Sequence, residues 1–398
     1  MFARWGSRVT LAVAGGFGHP ARPMEPAPTV TAVIRRSPED FVVDEIPAYT
    51  PSGRGEHLFI TFRKRGLTTP DALRALSRAL DVDPRAAGAA GMKDRHAVTT
   101  QTASFPVPMA RDAAAVVAGI SIPGIEILGA ARHDNKLKPG HLIGNRFTLV
   151  LRDIDAAEVQ ALCERLVEIG SIGVPNAFGP QRFGRDGDNP ARAIAWLSGR
   201  DRGPRDKRDQ RLLFSALQSL LFNQVLARRE EAGTWAAVLP GDVAKKHDTG
   251  GLFTVPLEGP ELDDAKARAA AGSLSATGPM FGAKMRWPEG EPAAIEREVL
   301  EASAIDPARF EAWKHLGEGT RRALRLTVAE MDVQATEEGA GKASVIVRFV
   351  LPKGGYATTV LGRACRLIDA SMERGPRGSE ASDGTYPVDG ASDDVQEP

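Results

Sequence analysis

A single carboxylate, Asp94, sits in the run Gly91-Met92-Lys93-Asp94-Arg95-His96-Ala97-Val98-Thr99-Thr100-Gln101, among three side chains that carry or can take a positive charge. Opposite charge within a few ångströms favours the ionised carboxylate. Asp94 is therefore suited to act as a nucleophile or base at neutral pH. A solvated turn whose charges neutralise one another would have the same composition, since turns favour Asp. Spacing within the run leaves both readings open.

A reactive carboxylate needs elements to hold it, and the flanking pattern supplies them. Upstream, Thr68 or Thr69 can cap a helix with Pro70 in its first turn, and Leu73, Leu76 and Leu80 recur at helical spacing. That helix is expected to cover a sheet. Candidate strands lie at 41–46, at 58–62 with Leu58, Ile60 and Phe62 on one face, at 102–107, at 124–128, at 147–151 and at 344–351. Further helices are expected at 111–118, at 156–169 with Gly170 as its stop, at 212–230, and from 360 to about Met372.

At 398 residues the chain has room for two domains with separate cores. Apolar and charged contents of 42% and 26% are those of a globular protein. Cys163 and Cys365, far apart, give neither a disulfide framework nor a metal spacing. That usage favours a reducing compartment, and a cytoplasmic location is expected. No run of 18 apolar residues exists to span a membrane. The formal net charge is zero, but residues 378–398 carry six carboxylates and no Lys or Arg, which leaves the rest of the chain at +6. Basic residues thicken at 132–141 and 200–211, and Lys136, Lys138, Arg182, Arg185 and Arg208 are candidate phosphate contacts. Disordered ends are expected over 1–29 and 373–398.

The motifs of zinc proteases, phosphate loops and serine hydrolases do not occur, so no metal or other cofactor is indicated. Two other classes fit the residues alone. One is an RNA-binding module without chemistry. The other is a hydrolase of glycosidic bonds using Asp94 with Glu56.

The Asp94 run resembles the catalytic motif G-x-K-D-x-x-A-x-T-x-Q of the TruD family of tRNA pseudouridine synthases, matching at Gly91, Lys93, Asp94, Ala97, Thr99 and Gln101. Gly144-Asn145-Arg146-Phe147, the run from Gly173 to Gly184, Thr277 to Gly282, and Phe349 to Thr358 resemble other motifs of that family in the same order. Ala177 stands where the family usually has Tyr. The resemblance implies an α+β fold: a pseudouridine synthase catalytic domain with a mainly antiparallel mixed sheet flanked by helices, plus an inserted α/β TRUD domain. The expected boundaries are 30–172 with 327–372 for the first and 173–326 for the second. It also implies isomerisation of uridine at tRNA position 13 without a cofactor, by a stand-alone monomer. Asp94 would be the catalytic residue. Arg35, standing for a family Lys, would join Phe41, Lys93, Asn145, Phe147 and Tyr356 at the substrate, with Arg35 the expected charge partner of Asp94.

Overall fold

The computed structural model describes residues 30–184 and 186–372, so the expected disordered ends and Arg185 lie outside the described residues. These residues form two compact units, one made of 30–170 and 328–372, the other of 171–327.

The first unit is built on a ten-stranded mixed sheet. Its main path runs Ala329–Gly339, Lys342–Pro352, Leu142–Asp155, Phe41–Pro47, Val98–Pro106, His57–Arg65, Ile125–His133. All neighbours on that path are antiparallel except Phe41–Pro47 with Val98–Pro106, which are parallel. Register decides which side chains share a face. Val43 lies opposite Phe147, Glu45 opposite Asn145, and Phe349 opposite Phe147. On the parallel side Val43 pairs with Thr99, and Thr99 in turn with Lys64. Because side chains alternate along a strand, Phe41, Glu45, Lys64, Gln101, Asn145, Phe147 and Phe349 all rise from the same face.

One end of that face is closed by the helix Thr69–Leu80, whose Thr68 cap accepts from the Asp71 backbone N–H. Ala72, Leu76 and Leu80 pack on Leu58, Ile60, Phe62, Ala103 and Phe105. Each of the larger side chains, Leu76 and Leu80 among them, contributes roughly 1.5–3 kcal/mol by leaving water. The Asp94 loop crosses the same face beside the start of that helix, where Lys93 N donates to Thr69 Oγ1.

Two expected helices are corrected. The helix near 156–169 runs Val159–Ile172 and passes through Gly170. A Cβ on Gly170 would sit 2.5 Å from Met331 Cβ, so this glycine permits close packing rather than ending the helix. The chain turns instead at Gly173, with φ +75°. After Lys342–Pro352 the expected helix to Met372 is only Ala357–Leu361, and Arg366–Asp369 is a strand lying parallel to Thr31–Ile34. The exposed N–H and C=O row of Thr31–Ile34 offers ladder partners that a helix would leave unmet, with Arg366 N donating to Val30 O and Ala370 N to Ile34 O.

The second unit has a four-stranded antiparallel sheet ordered Leu252–Thr254, Val243–Lys246, Leu274–Met280, Thr320–Ala323. The 25-residue helix Lys207–Glu231 runs through it, started by Asp206, whose carboxylate accepts from the N–H groups of Arg208 and Asp209. Phe222, Trp235 and Val255 fill one core, Phe214, Phe281 and Phe310 another.

Candidate active site

The loop between Ala89 and Val98 carries Asp94 and is tied down at four places. Lys93 N donates to Thr69 Oγ1 at 2.9 Å, and Thr69 Oγ1 donates to Gln101 Oε1 at 3.0 Å. Lys93 Nζ pairs with Glu45 Oε2 at 2.7 Å, while Glu45 Oε1 accepts from Thr102 N. Lys64 Nζ donates to the carbonyls of Leu67, Lys93 and Asp94 at 2.8, 3.3 and 2.8 Å. Arg95 Nε donates to Gly66 O. Ala97, Thr99 and Gln101 are buried. The motif residues around Asp94 thus mostly hold the loop still.

Adjacent residues of the loop face opposite ways. Lys93 turns under it into a nearly dry ion pair, whereas the Asp94 side chain is 61% exposed. None of the neighbouring cations Lys93, Arg95 or His96 forms an ion pair with Asp94. Its partner comes from another segment: Arg35 Nη2 donates to Asp94 Oδ2 at 2.8 Å. Arg35 Nη1 donates to Asp369 Oδ2 at 2.5 Å, on the strand that the sequence pattern marks as a helix. Arg35 has φ +56°, a left-handed conformation that costs a non-glycine residue roughly 1–3 kcal/mol. Two carboxylates and the Phe41 ring, whose centroid is 4.0 Å from the guanidinium carbon, keep it there. Burial pushes the Asp369 carboxyl up, but hydrogen bonds from Ser371 and the charge of Arg35 prevail and hold it below its usual range.

Arg35, Phe41, Asp94 and Phe147 are therefore connected. Phe41 and Phe147 meet edge to face with centroids 6.3 Å apart, and Phe147 stacks on Phe349 at 5.4 Å. Both expected rings are buried, at 3% and 6% exposure, and form the floor of the site. Asn145 lies opposite Glu45 in the ladder, and its Oδ1 is buried with no hydrogen-bond donor among the described residues. Lys93 is an anchor from below, not a side chain presented to a ligand. Tyr356 caps the helix Ala357–Leu361 with its ring 62% exposed, apart from the Phe41, Phe147 and Phe349 contacts.

Four site residues escaped the sequence reading: Glu45, Lys64, Phe349 and Asp369. For two of them the signal was present. One more step of the Phe41, Val43 alternation reaches Glu45, and one more step of Leu58, Ile60, Phe62 reaches Lys64 on the buried face. Glu56, the second carboxylate of the glycosidic reading, lies eight residues back along the chain from Lys64, beyond the far end of the strand His57–Arg65. At about 3.3 Å per residue that is roughly 25 Å, against the roughly 5–9.5 Å that paired glycosidase carboxylates need.

The candidate phosphate contacts scatter. Lys136 and Lys138 line an open cleft of about 640 Å³ with Tyr49, His133 and His141. Tyr49 and His133 pack on Phe59, so this cleft lies on the sheet face opposite Lys64. In the second unit Arg182 donates to the hydroxyls of Ser215 and Ser219, a structural use, and Arg208 is exposed in the first turn of its helix.

The profile of the family tRNA pseudouridine synthase D (TruD) matches residues 24–190 and 206–364. The chain belongs to this family. The tRNA pseudouridine synthase D of Anaeromyxobacter dehalogenans (strain 2CP-C) is 47% identical over 344 residues, 85% of this chain and 94% of that protein. A tRNA pseudouridine synthase D of Thermus thermophilus is 42% identical, over 85% of this chain and 90% of that protein. A crystal structure from Methanosarcina mazei assigned to tRNA pseudouridine synthase D superposes with a TM-score of 0.69 at 25% identity, covering 85% of this chain and 94% of the other. The Asp94 loop and the Arg35, Phe41 and Asn145 positions all fall within the part matched by the TruD profile.

Proposed function

We propose that this TruD family member isomerises uridine to pseudouridine in tRNA, at position 13, with Asp94 as its catalytic carboxylate. The observation that carries this reading is an exposed carboxylate on a loop tied down at four places, charge-paired only with Arg35 among the described residues. The reaction breaks the C1′–N1 bond, turns the base and joins C5 to C1′; C5 gives up its hydrogen and N1 gains one, so nothing is consumed. An ionised Asp94 serves either route to that end, attack on C1′ or removal of the C2′ proton, and it must reach the sugar in both.

A stacked nucleotide cannot present C5 and C1′ together to one carboxylate, so the base is flipped out at a cost of a few kcal/mol. Asn145 Oδ1 is an acceptor suited to the N3–H of a uracil edge. Arg35, released in part from Asp94, is placed to meet the adjacent phosphate. Phe41 and Phe147 form an apolar floor below. Among the described residues no helix is long and apolar enough to cross a membrane. We place the enzyme in the cytoplasm as a monomer, on the strength of its two isolated thiols and a site formed within one unit. The deciding experiment is a pseudouridine map of total tRNA after incubation with the protein. New pseudouridine at position 13 is expected; tight tRNA binding with an unchanged map would instead make the chain an RNA-binding protein without catalysis.

A further inference from the structure

Lys64 has no solvent exposure and, among the described residues, no carboxylate partner, yet it carries three donor protons. They match three backbone carbonyls, Leu67 O at 2.8 Å, Asp94 O at 2.8 Å and Lys93 O at 3.3 Å. A buried cation satisfied only by carbonyl dipoles is costly, and a core position on this strand could have taken Leu or Met, as Leu58, Ile60 and Phe62 show. What the cation secures is the backbone of the residue whose side chain does the chemistry.

We propose that Lys64 is a positioning residue for the reaction: its ammonium clasps the Lys93 and Asp94 carbonyls from inside the fold and thereby fixes where the Asp94 carboxylate meets the sugar. This rests on the reading of Asp94 as the catalytic carboxylate. The clasp is specific to the charged form. A neutral amine keeps two N–H donors and turns a lone pair toward the third carbonyl, so one anchor becomes a repulsion.

Burial pushes Lys64 down to about 8, opposed by the charges of Asp94 and Asp71 and assisted by Lys93. The sign of the linkage separates positioning from mere structural support. The folded value lies below the ordinary 10.5, so between about pH 8 and 10.5 the unfolded chain binds more protons at this site than the folded one. Lys64's contribution to stability therefore rises with pH across that window. Its clasp on Asp94 is lost across the same window. Turnover and stability should move in opposite directions.

The test is to measure kcat and KM for tRNA between about pH 6.5 and 9.5 in wild type, Lys64→Met and Lys64→Arg, with melting curves at each pH and Asp94→Asn as reference. Wild-type kcat is expected to fall about tenfold from about pH 7 to 9 with KM within about twofold, one unit of pH above the titration giving a factor of about ten. The melting temperature should not fall with it. Lys64→Met should lower kcat at neutral pH by roughly 10–100-fold and lose the alkaline limb, and Lys64→Arg, which stays charged, should lose the limb while keeping more activity. Titration of the RNA itself would leave the same limb in all three proteins and would overturn the proposal. So would a folded Lys64→Met with wild-type kcat beside an inactive Asp94→Asn. Should neither variant fold, a flat wild-type kcat over this range overturns it and a falling one with constant melting temperature supports it. An active Asp94→Asn would instead remove the reading of Asp94 on which the proposal stands.

Discussion

Two arginines, Arg35 in the first unit and Arg321 in the second, each grip carboxylates, and the difference between them separates a site from a strut. Arg321 meets Glu296 through both terminal nitrogens, at 2.9 and 2.7 Å, and directs its remaining donors to Thr277 O, Thr277 Oγ1 and Arg286 O. Both partners are buried. Desolvation raises the Glu296 carboxyl even against the pull of Arg321, so the pair holds only because it is closed on all sides. Arg35 divides itself between Asp369 and Asp94, adopts a left-handed backbone, and has a buried Nε with no acceptor among the described residues. One of its carboxylates faces solvent. A saturated buried pair has nothing left to offer a ligand, whereas a divided, strained arginine beside an exposed carboxylate does.

The contrast can be broken most severely at Asp94. Asp94→Asn should lower turnover on the order of 10⁴-fold, the scale on which removal of a reacting group acts, while tRNA affinity measured by filter binding stays within a few-fold; near-normal turnover would place Asp94 with the struts. Arg321→Ala should cost about 3–5 kcal/mol in urea melts because it strands Glu296 in the interior. A loss under about 1 kcal/mol would mean that this pair is not closed as described. Arg35→Ala should cost about 100-fold in kcat, corresponding to a charged hydrogen bond of roughly 1.5–3 kcal/mol, with little change in melting temperature since the backbone, no longer held by those contacts, can relax out of its left-handed conformation. A melting loss as large as that of Arg321→Ala would erase the distinction. Asp369→Asn should have the smallest effect, about tenfold in kcat with KM nearly constant. Because the Asp369 carboxyl lies below its ordinary 3.8 in the fold, its contribution to stability is present above that value and disappears only as pH falls through the lower folded one. An acid melting series in which wild type and Asp369→Asn converge already above about pH 4 would contradict this.

The strands of the face beneath the Asp94 loop were legible because alternation is a local property: Phe41 and Val43, Leu58 to Phe62, and Phe147 to Leu151 announce their buried side directly. The Asp94 motif was legible for a different reason, its density of polar residues at close intervals. Apart from the pairing of Arg35 with Asp94, which the family resemblance led us to expect and the structure contains, pairing between distant segments could not be seen. Arg366 to Asp369 carries no strand signal strong enough to beat a helical continuation from Ala357, and only the unpaired edge of Thr31–Ile34 makes it a strand. Asp369 was lost with it. The charges next to Asp94 in the chain misled, because successive residues of an extended loop point to opposite sides; proximity along the chain put Lys93 under the loop and left Asp94 to a partner 59 positions away. The rings were located but their exposure was not, since burial of Phe41 depends on a guanidinium lying over it.

The parallel pairing of Thr31–Ile34 with Arg366–Asp369 also sets the order in which the protein can become competent during synthesis. The contact between Arg35 and Asp369 spans 334 positions, almost the whole described chain. A ribosome has made the Asp94 loop, the rings and all of the second unit before it delivers the strand that completes the Arg35 grip. The Arg35–Asp369 half of the site is thus acquired last, when the slowest class of contact, a long-range strand pairing, finally closes.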